Sequence, residues 1–416
     1  MYAYSMKKIS IWIILSFVFS VIIGLLILSN LLYPSIYPMI KNGQTILFAD
    51  WSGIMVSIEC HNRGFDVYLN NPCDHWGREM VYGKILLYLP LVEKFTIFYY
   101  LILPLTLNFV FIFIIVSFFN YKNKYEYLAI GFLLLNFPTL LAIERANFDI
   151  LIFISFYLLS ISNKSYINHI IVCLSSLIKF YPITSLSIFL FDRKINRSFM
   201  NILLSISIIS FILFFQKDEL IQIFNTRELF SGHGMYSFSM KELFLTLFIF
   251  IEYGVINNIY LYFLVCFITL LPIIIIIYKN YKRIKIIEKY NYYKNFSLND
   301  YQDRMFVVFS ITVVSCYLFF YNFSYREIFF IGLVPYILKQ IKDNINKEYF
   351  NFFLNFILAK LFLSTVLTII YMEKLFPDYN VVFLLSKHFL DLALITIVSI
   401  NLLCIFHSFY VKKSFN

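Results

Sequence analysis

Apolar runs long enough to cross a bilayer recur along the whole chain, and nothing else in the sequence restricts its fold as strongly. A helix needs about 20 residues to span hydrocarbon, and stretches such as 9–32, 95–119 and 386–411 reach or exceed that length. Of 416 residues, 61% are hydrophobic and only 14% are charged, which excludes a soluble globular fold. The runs are continuous and lack the ten-residue alternation of outer-membrane strands, so the backbone must satisfy its hydrogen bonds within helices. The expected fold class is all-α: a polytopic integral membrane protein with about 10–12 transmembrane helices, forming a single membrane domain over 1–416.

The formal charge of +10 would suggest nucleic acid in a soluble protein. Here Lys and Arg gather in short loops between apolar runs, where they set orientation instead. Placing Lys7 and Lys8, Lys122 to Lys124, Asp192 to Arg197, Lys279 to Lys294, Lys339 to Lys347 and the tail Lys412 and Lys413 in the cytoplasm predicts spans at 9–32, 95–119, 125–143, 148–162, 198–215, 256–278, 304–321, 326–341, 352–371 and 386–411. Both termini are then cytoplasmic. The expected location is the bacterial inner (cell) membrane, with membrane lipids as partners and no nucleic acid. The first run follows Lys7 and Lys8 as a signal peptide does, but it is too long and has no small-residue cleavage site, so it is read as a retained helix.

The stretch 166–191 lies between two basic ends, Lys164 and Arg193-Lys194, and a single crossing would break the charge rule. A broken pair of short helices resolves this. Lys179-Phe180-Tyr181-Pro182 supplies the break, because proline disfavours helix at the residue before it and removes a backbone donor. Lys179 is thereby placed near the external mouth. Outside the membrane the sequence predicts a first loop over 33–94, with an amphipathic interfacial stretch at 81–92, and a second segment over 216–255 with a partial helix. Residues 279–303 form a cytoplasmic basic loop.

Four polar groups at helix mouths are candidates for chemistry. Asp50, beside Trp51, is the candidate catalytic residue: a transferase needs one base to take the acceptor proton, whereas a departing phosphate leaves as a stable anion. Its bland alternative is a solvated loop acid or a helix cap. Glu144-Arg145-Ala146-Asn147-Phe148-Asp149 separates two apolar helices. Asn147 and Asp149 suit a helix start, while Glu144 and Arg145 suit a sugar and a phosphate. Lys179 in an apolar stretch would cost about 2.5–3.5 kcal/mol at mid-helix and so asks for a partner, for which a phosphate head group is the expectation and snorkelling the alternative. Tyr325 and Arg326 make a second candidate anion clamp. Asp66 is a rival to Asp50 as base, and Tyr82, Tyr181 and His233 are further candidate substrate contacts. Cys60 and Cys73 share the first loop and are expected to form a disulfide, fitting an oxidising compartment. No compact zinc pattern, Walker loop or nucleotide-binding glycine fingerprint occurs, so no metal or cofactor site is assigned.

The set Ala49-Asp50-Trp51, Gly64-Phe65-Asp66-Val67-Tyr68, Cys73 leading to Tyr82-Gly83, Glu144 to Asp149, Lys179-Phe180-Tyr181-Pro182 and Ser324-Tyr325-Arg326 resembles the GT-C fold glycosyltransferases, specifically those around glycosyltransferase family 87. The resemblance implies a GT-C-like fold and a polyprenyl-phosphate-linked sugar donor. It also implies inverting transfer of a hexose, often mannose, to a lipid or glycan acceptor at the external face, with Asp50 as base. Ala146 stands where relatives often place glycine. A surface-polysaccharide polymerase or ligase would share the lipid-phosphate chemistry but is expected to carry its acceptor loop later in the chain. A lipid-linked-sugar flippase or transporter would instead place charged groups at mid-membrane.

Overall fold

The computed structural model describes residues 2–28, 40–41, 44–45, 48–74, 76–90, 92–120, 124–191, 195–222, 237–252, 296–297, 299–319, 324–344, 347–372 and 380–414. They are helical apart from turns and a two-residue antiparallel pair, Ile40–Lys41 with Gln44–Thr45. Among them, four helices are long and apolar enough to cross a membrane: Phe98–Ser117, Tyr301–Phe319, Lys347–Ile370 and Phe383–Phe406. A bent pair, Lys124–Leu134 and Phe137–Glu144, makes a fifth if counted as one span. Shorter apolar helices cover parts of three further expected spans, 9–32, 148–162 and 198–215, and of the expected broken pair at 166–191, and the expected span 256–278 lies outside the described residues. The chain divides into two compact units, residues 1–159, 166–183 and 204–231 in the first, and 160–165, 184–203 and 232–416 in the second.

In the first unit, α1 (Tyr2–Leu28) packs on α3 (Leu103–Ser117), which extends from a π-helical turn at Phe98–Ile102. Trp12 sets its ring edge-on to Phe113 and donates its indole N–H to the Phe119 carbonyl at 3.4 Å. Between them in sequence comes α2 (Ala49–Asn62), a buried helix inside what the hydropathy pattern marks only as a loop. Its Trp51 stacks on Phe148 at 4.6 Å, and its indole donates to the Tyr99 carbonyl at 2.7 Å.

The expected span 125–143 is two helices, α4 (Lys124–Leu134) and α5 (Phe137–Glu144), bent by 57°. The physical reason is local. Asn136 caps α5 by accepting from the Thr139 amide at 3.0 Å, and Pro138 occupies its first turn, where a missing amide hydrogen does no harm. The same Asn136 donates to the Leu133 carbonyl at 2.8 Å, closing the end of α4. Then follow α6 (Phe148–Ile161) and α7 (Ser165–Ile178), the latter succeeded by a 3-10 segment at Tyr181–Phe191. The break falls at Lys179-Phe180, where the proline predicts it. Gly83 lies against the carbonyl of Leu177 so closely that a Cβ would clash with the backbone there, and its amide donates to the Ile178 carbonyl at 2.9 Å. Glycine is thus required where the first loop meets the end of α7. The helix α8 (Ile195–Phe215) follows, its residues shared between the two units.

The second unit contains α9 (Met240–Glu252), α10 (Tyr301–Phe319), a 3-10 segment at Ser324–Leu333, α11 (Val334–Lys342), α12 (Lys347–Met372) and α13 (Asn380–Ser414). The expected span 326–341 is therefore a 3-10 segment followed by a short helix, with Pro335 in the first turn of α11. This stretch is buried between 324 and 337, and aromatic pairs lock it in place: Phe309 with Phe329, Phe306 with Tyr336, and Tyr336 with Phe350. On the α10 side, Lys339 pairs with Asp300 at 2.8 Å and Asp303 at 2.7 Å.

Candidate functional site

The turn between α5 and α6 fixes the site. Arg145 is the C-cap of α5, and Ala146 takes a left-handed conformation with φ 45°. The Asn147 amide reaches back to the Ala142 carbonyl at 2.9 Å and the Ala146 amide to that of Ile143 at 3.0 Å. This is the Schellman pattern, whose left-handed position usually holds glycine. Asn147 ends one helix and begins the next: its Oδ1 accepts from the Asp149 amide at 2.9 Å, capping α6. The bland reading of Asn147 is therefore correct as far as it goes. Its other side-chain atom does something that capping does not explain: Nδ2 donates to Asp50 Oδ2 at 2.7 Å.

Asp50 sits in the first turn of α2, where the helix dipole favours a carboxylate. Phe48 before it is left-handed (φ 55°), and the Trp51 amide donates to the Arg145 carbonyl at 3.2 Å, so backbone ties this helix start to the α5–α6 turn. The Asp50 side chain is 10% exposed. Its Oδ1 lies 3.5 Å from Arg78 Nη1 and 3.8 Å from Arg145 Nη1, while Arg145 Nε is 3.9 Å from Glu144 Oε2. Asp50 thus does not point into bulk solvent. One oxygen is held by an amide, and the other faces two guanidinium groups.

Lys179 does not wait for an external anion. Its ammonium is buried and bonded to Asp149 Oδ1 at 2.5 Å and to Asn147 Oδ1 at 3.2 Å, and it sits 5.0 Å from the centre of the Tyr82 ring. Tyr181 donates to the same Asp149 oxygen at 2.6 Å. The partner that stands beside this charge is a carboxylate of the same chain, Asp149, where the sequence suggests a phosphate. Lys179 instead braces Asn147, and through it Asp50. Tyr82 and Phe148 pack at 5.3 Å, and the Tyr82 carbonyl accepts from Tyr68 at 2.9 Å.

Arg78 is the group in this cluster that the sequence does not single out. Asp74, four residues earlier, accepts from its Nε at 3.2 Å and its Nη2 at 3.0 Å, and the Ala49 carbonyl accepts from Nη2 at 3.3 Å. The guanidinium lies 4.5 Å over the Trp76 ring. Burial works against its charge, yet the Asp74 hydrogen bond and the charges of Asp50 and Asp74 hold its pKa above the ordinary arginine value. Cys60 and Cys73 are joined in a disulfide, Cα atoms 5.7 Å apart, fastening the loop that carries Asp74 and Arg78 to the end of α2. The spacing Asp74–Arg78 next to Cys73 was the available signal, but in a loop it carries no helical register.

Of the other expected site residues, Asp66 is exposed and accepts from the Tyr68 amide at 3.1 Å, forming its own turn. Tyr325 and Arg326 belong to the second unit and are buried in its 3-10 segment. His233 lies outside the described residues. Among the described residues no group of three or more His, Cys, Asp or Glu side chains is arranged to hold a metal.

The second unit contains a charge cluster that the sequence does not reveal. Lys360 of α12 pairs with Glu327 and, at 2.6 Å, with Asp391 of α13; Lys387 of α13 pairs with Glu327 at 3.2 Å and Asp391 at 3.1 Å. All four are fully buried, as is His388, 3.8 Å from Asp391. The ring alternates in sign. Lys387 also donates to the Ser237 carbonyl at 2.6 Å, and Lys360 faces the rings of Phe238 and Phe330. Lys360 stands 13 residues after the first residue of α12, roughly 20 Å along the helix. An open groove of about 670 Å³ in the same unit, lined by Asn163, Ser297, Asn299, Asp300, Gln302 and Arg304, includes none of the expected site residues. Comparison with known proteins finds no matching family model, no similar curated protein and no similar solved structure.

Proposed function

We propose that the chain is a membrane glycosyltransferase that moves a hexose, mannose among the candidates, from a polyprenyl-phosphate-linked donor to a lipid or glycan acceptor by inverting displacement. The supporting observation is the setting of Asp50, whose Oδ2 accepts from Asn147 while Oδ1 faces Arg78 and Arg145. In this reading Oδ1 takes the acceptor hydroxyl proton as that oxygen attacks the anomeric carbon. The bond from carbon to phosphate oxygen breaks, and the phosphate leaves with the electron pair, needing no proton. One carboxylate suffices, unlike the two that most glycosidases use. The brace of Lys179 and Asp149 keeps Asn147, and so Asp50, in one orientation. The GT-C-like arrangement of about 10–12 spans, the bacterial inner-membrane location, the cytoplasmic termini and the outward-facing site belong to the same proposal.

A second reading, a lipid-linked-sugar flippase or transporter, gains support from the buried ring of Glu327, Lys360, Lys387 and Asp391, since ionisable groups deep in spans mark pathways as well as structure. The purified protein in proteoliposomes separates the two. Given a panel of labelled polyprenyl-phosphate sugars and a lipid acceptor, a transferase makes labelled product. A flippase moves label between leaflets and leaves the sugar–phosphate bond intact.

A further inference from the structure

The two guanidiniums beside Asp50 differ in what holds them. Arg78 is aimed by Asp74 on its Nε and Nη2 edge, at 3.2 and 3.0 Å, and by the Ala49 carbonyl. Gly53 makes room for this pair: a Cβ there would come within 2.7 Å of Arg78 Nη2 and 3.1 Å of Asp74 Oδ1. The remaining nitrogen, Nη1, faces Asp50 at 3.5 Å, and Arg145 Nη1 faces the same oxygen at 3.8 Å. Both separations exceed the 2.7–2.9 Å of a charge-assisted hydrogen bond. Asp50 is therefore a loose counterion to two arginines, one of which keeps its orientation through Asp74 without Asp50. Asp50 in turn keeps its place through Asn147 at 2.7 Å.

From this we infer that Arg78 and Arg145 form an oxyanion site whose resident anion, Asp50 Oδ1, is exchanged for a phosphate. The inference rests on the transferase reading and adds to it a coupling between donor and base. When phosphate oxygens accept from the two Nη1 groups, Asp50 Oδ1 gives up both cations and faces the acceptor hydroxyl alone. Lys179, committed to Asp149, takes no part. A full-length donor engages the site as a phosphodiester and departs as a phosphate monoester. The product, carrying more negative charge, is the tighter ligand of the pair.

The test is calorimetric binding to the full chain in detergent, with farnesyl phosphate, inorganic phosphate and farnesol as probes. Wild type binds farnesyl phosphate more tightly than farnesol. Asp50→Asn, which removes the competing anion, binds farnesyl phosphate roughly three- to tenfold more tightly than wild type, and Arg78→Gln binds it about tenfold more weakly. The same gain in Asp50→Asn with inorganic phosphate supports the exchange and assigns the ligand to the phosphate group itself. A gain confined to farnesyl phosphate supports it and assigns the ligand to a lipid head group. Equal affinity in Asp50→Asn and wild type overturns the exchange, and an unchanged Arg78→Gln overturns the part given to Arg78. Absence of farnesyl phosphate binding in folded wild type strikes the donor reading itself. Asp50→Ser carries the same comparison should the asparagine variant not fold.

Discussion

Replacing Lys179 by methionine removes one cation from a place where its partner has no access to water. Asp149 is fully buried and Lys179 nearly so, their charged atoms are 2.5 Å apart, and the same ammonium donates to Asn147 at 3.2 Å. Taking one member from a buried pair leaves an uncompensated charge and costs about 3–5 kcal/mol. The Tyr181 hydroxyl, 2.6 Å from Asp149, remains as a neutral donor and offsets only part of that. For a unit of this size each kcal/mol lowers the midpoint by roughly 2–4 °C, so Lys179→Met is expected to lose on the order of 6–20 °C in thermal unfolding in detergent. Lys179→Met combined with Asp149→Leu, which removes both charges, is expected to recover most of the loss, because an apolar pair of similar volume is often no worse than a buried ion pair. A phosphate-binding lysine would behave differently: the single variant would keep its midpoint and lose donor affinity. A Lys179→Met midpoint within about 2 °C of wild type would refute the bracing role.

Three other perturbations probe the same region. Asn147→Ser retains a helix cap but loses the bond to Asp50, so stability should fall by less than about 1 kcal/mol while turnover falls; equal losses in Asn147→Ser and Asn147→Ala on turnover with unequal loss on stability would confirm that the two jobs are separable, and unchanged turnover would deny the contact any role. Ala146→Val places a β-branched residue at φ 45° and is expected to cost about 2 kcal/mol, with Ala146→Gly tolerated; thermal melts that rank them the other way would contradict the Schellman assignment. Opening the Cys60–Cys73 bridge, across a sequence separation of 13, should cost about 3 kcal/mol by loop entropy, read as a lower midpoint of wild type under reductant and no reductant effect in Cys60→Ser.

Much of the first unit is legible before any coordinates. The end of α7 at Ile178 follows from Pro182, the cap of α6 follows from Asn147, and the pairing of Cys60 with Cys73 follows from their shared loop. The bend at Asn136-Phe137-Pro138 carries a readable signal too, an N-cap residue two before a proline, but hydropathy averages over it. What hydropathy cannot recover is pairing at a distance. Asp50 and Asn147 are 97 residues apart, and Lys360 and Glu327 are 33 apart. Each looks like an isolated polar residue until packing supplies its partner. The same holds for α2, whose Ser and Gly residues read as loop yet pack inward because Trp51, Ile54, Met55 and Ile58 share the core with Phe148.

Asp50 either does chemistry or only organises the arginines beside it. Turnover of a polyprenyl-phosphate sugar by purified Asp50→Asn at saturating donor separates these. Loss of a positioned base is expected to lower the rate by roughly 10²–10⁴, with the folded protein still binding farnesyl phosphate. Wild-type turnover in that variant would leave Asp50 a counterion and contradict the account.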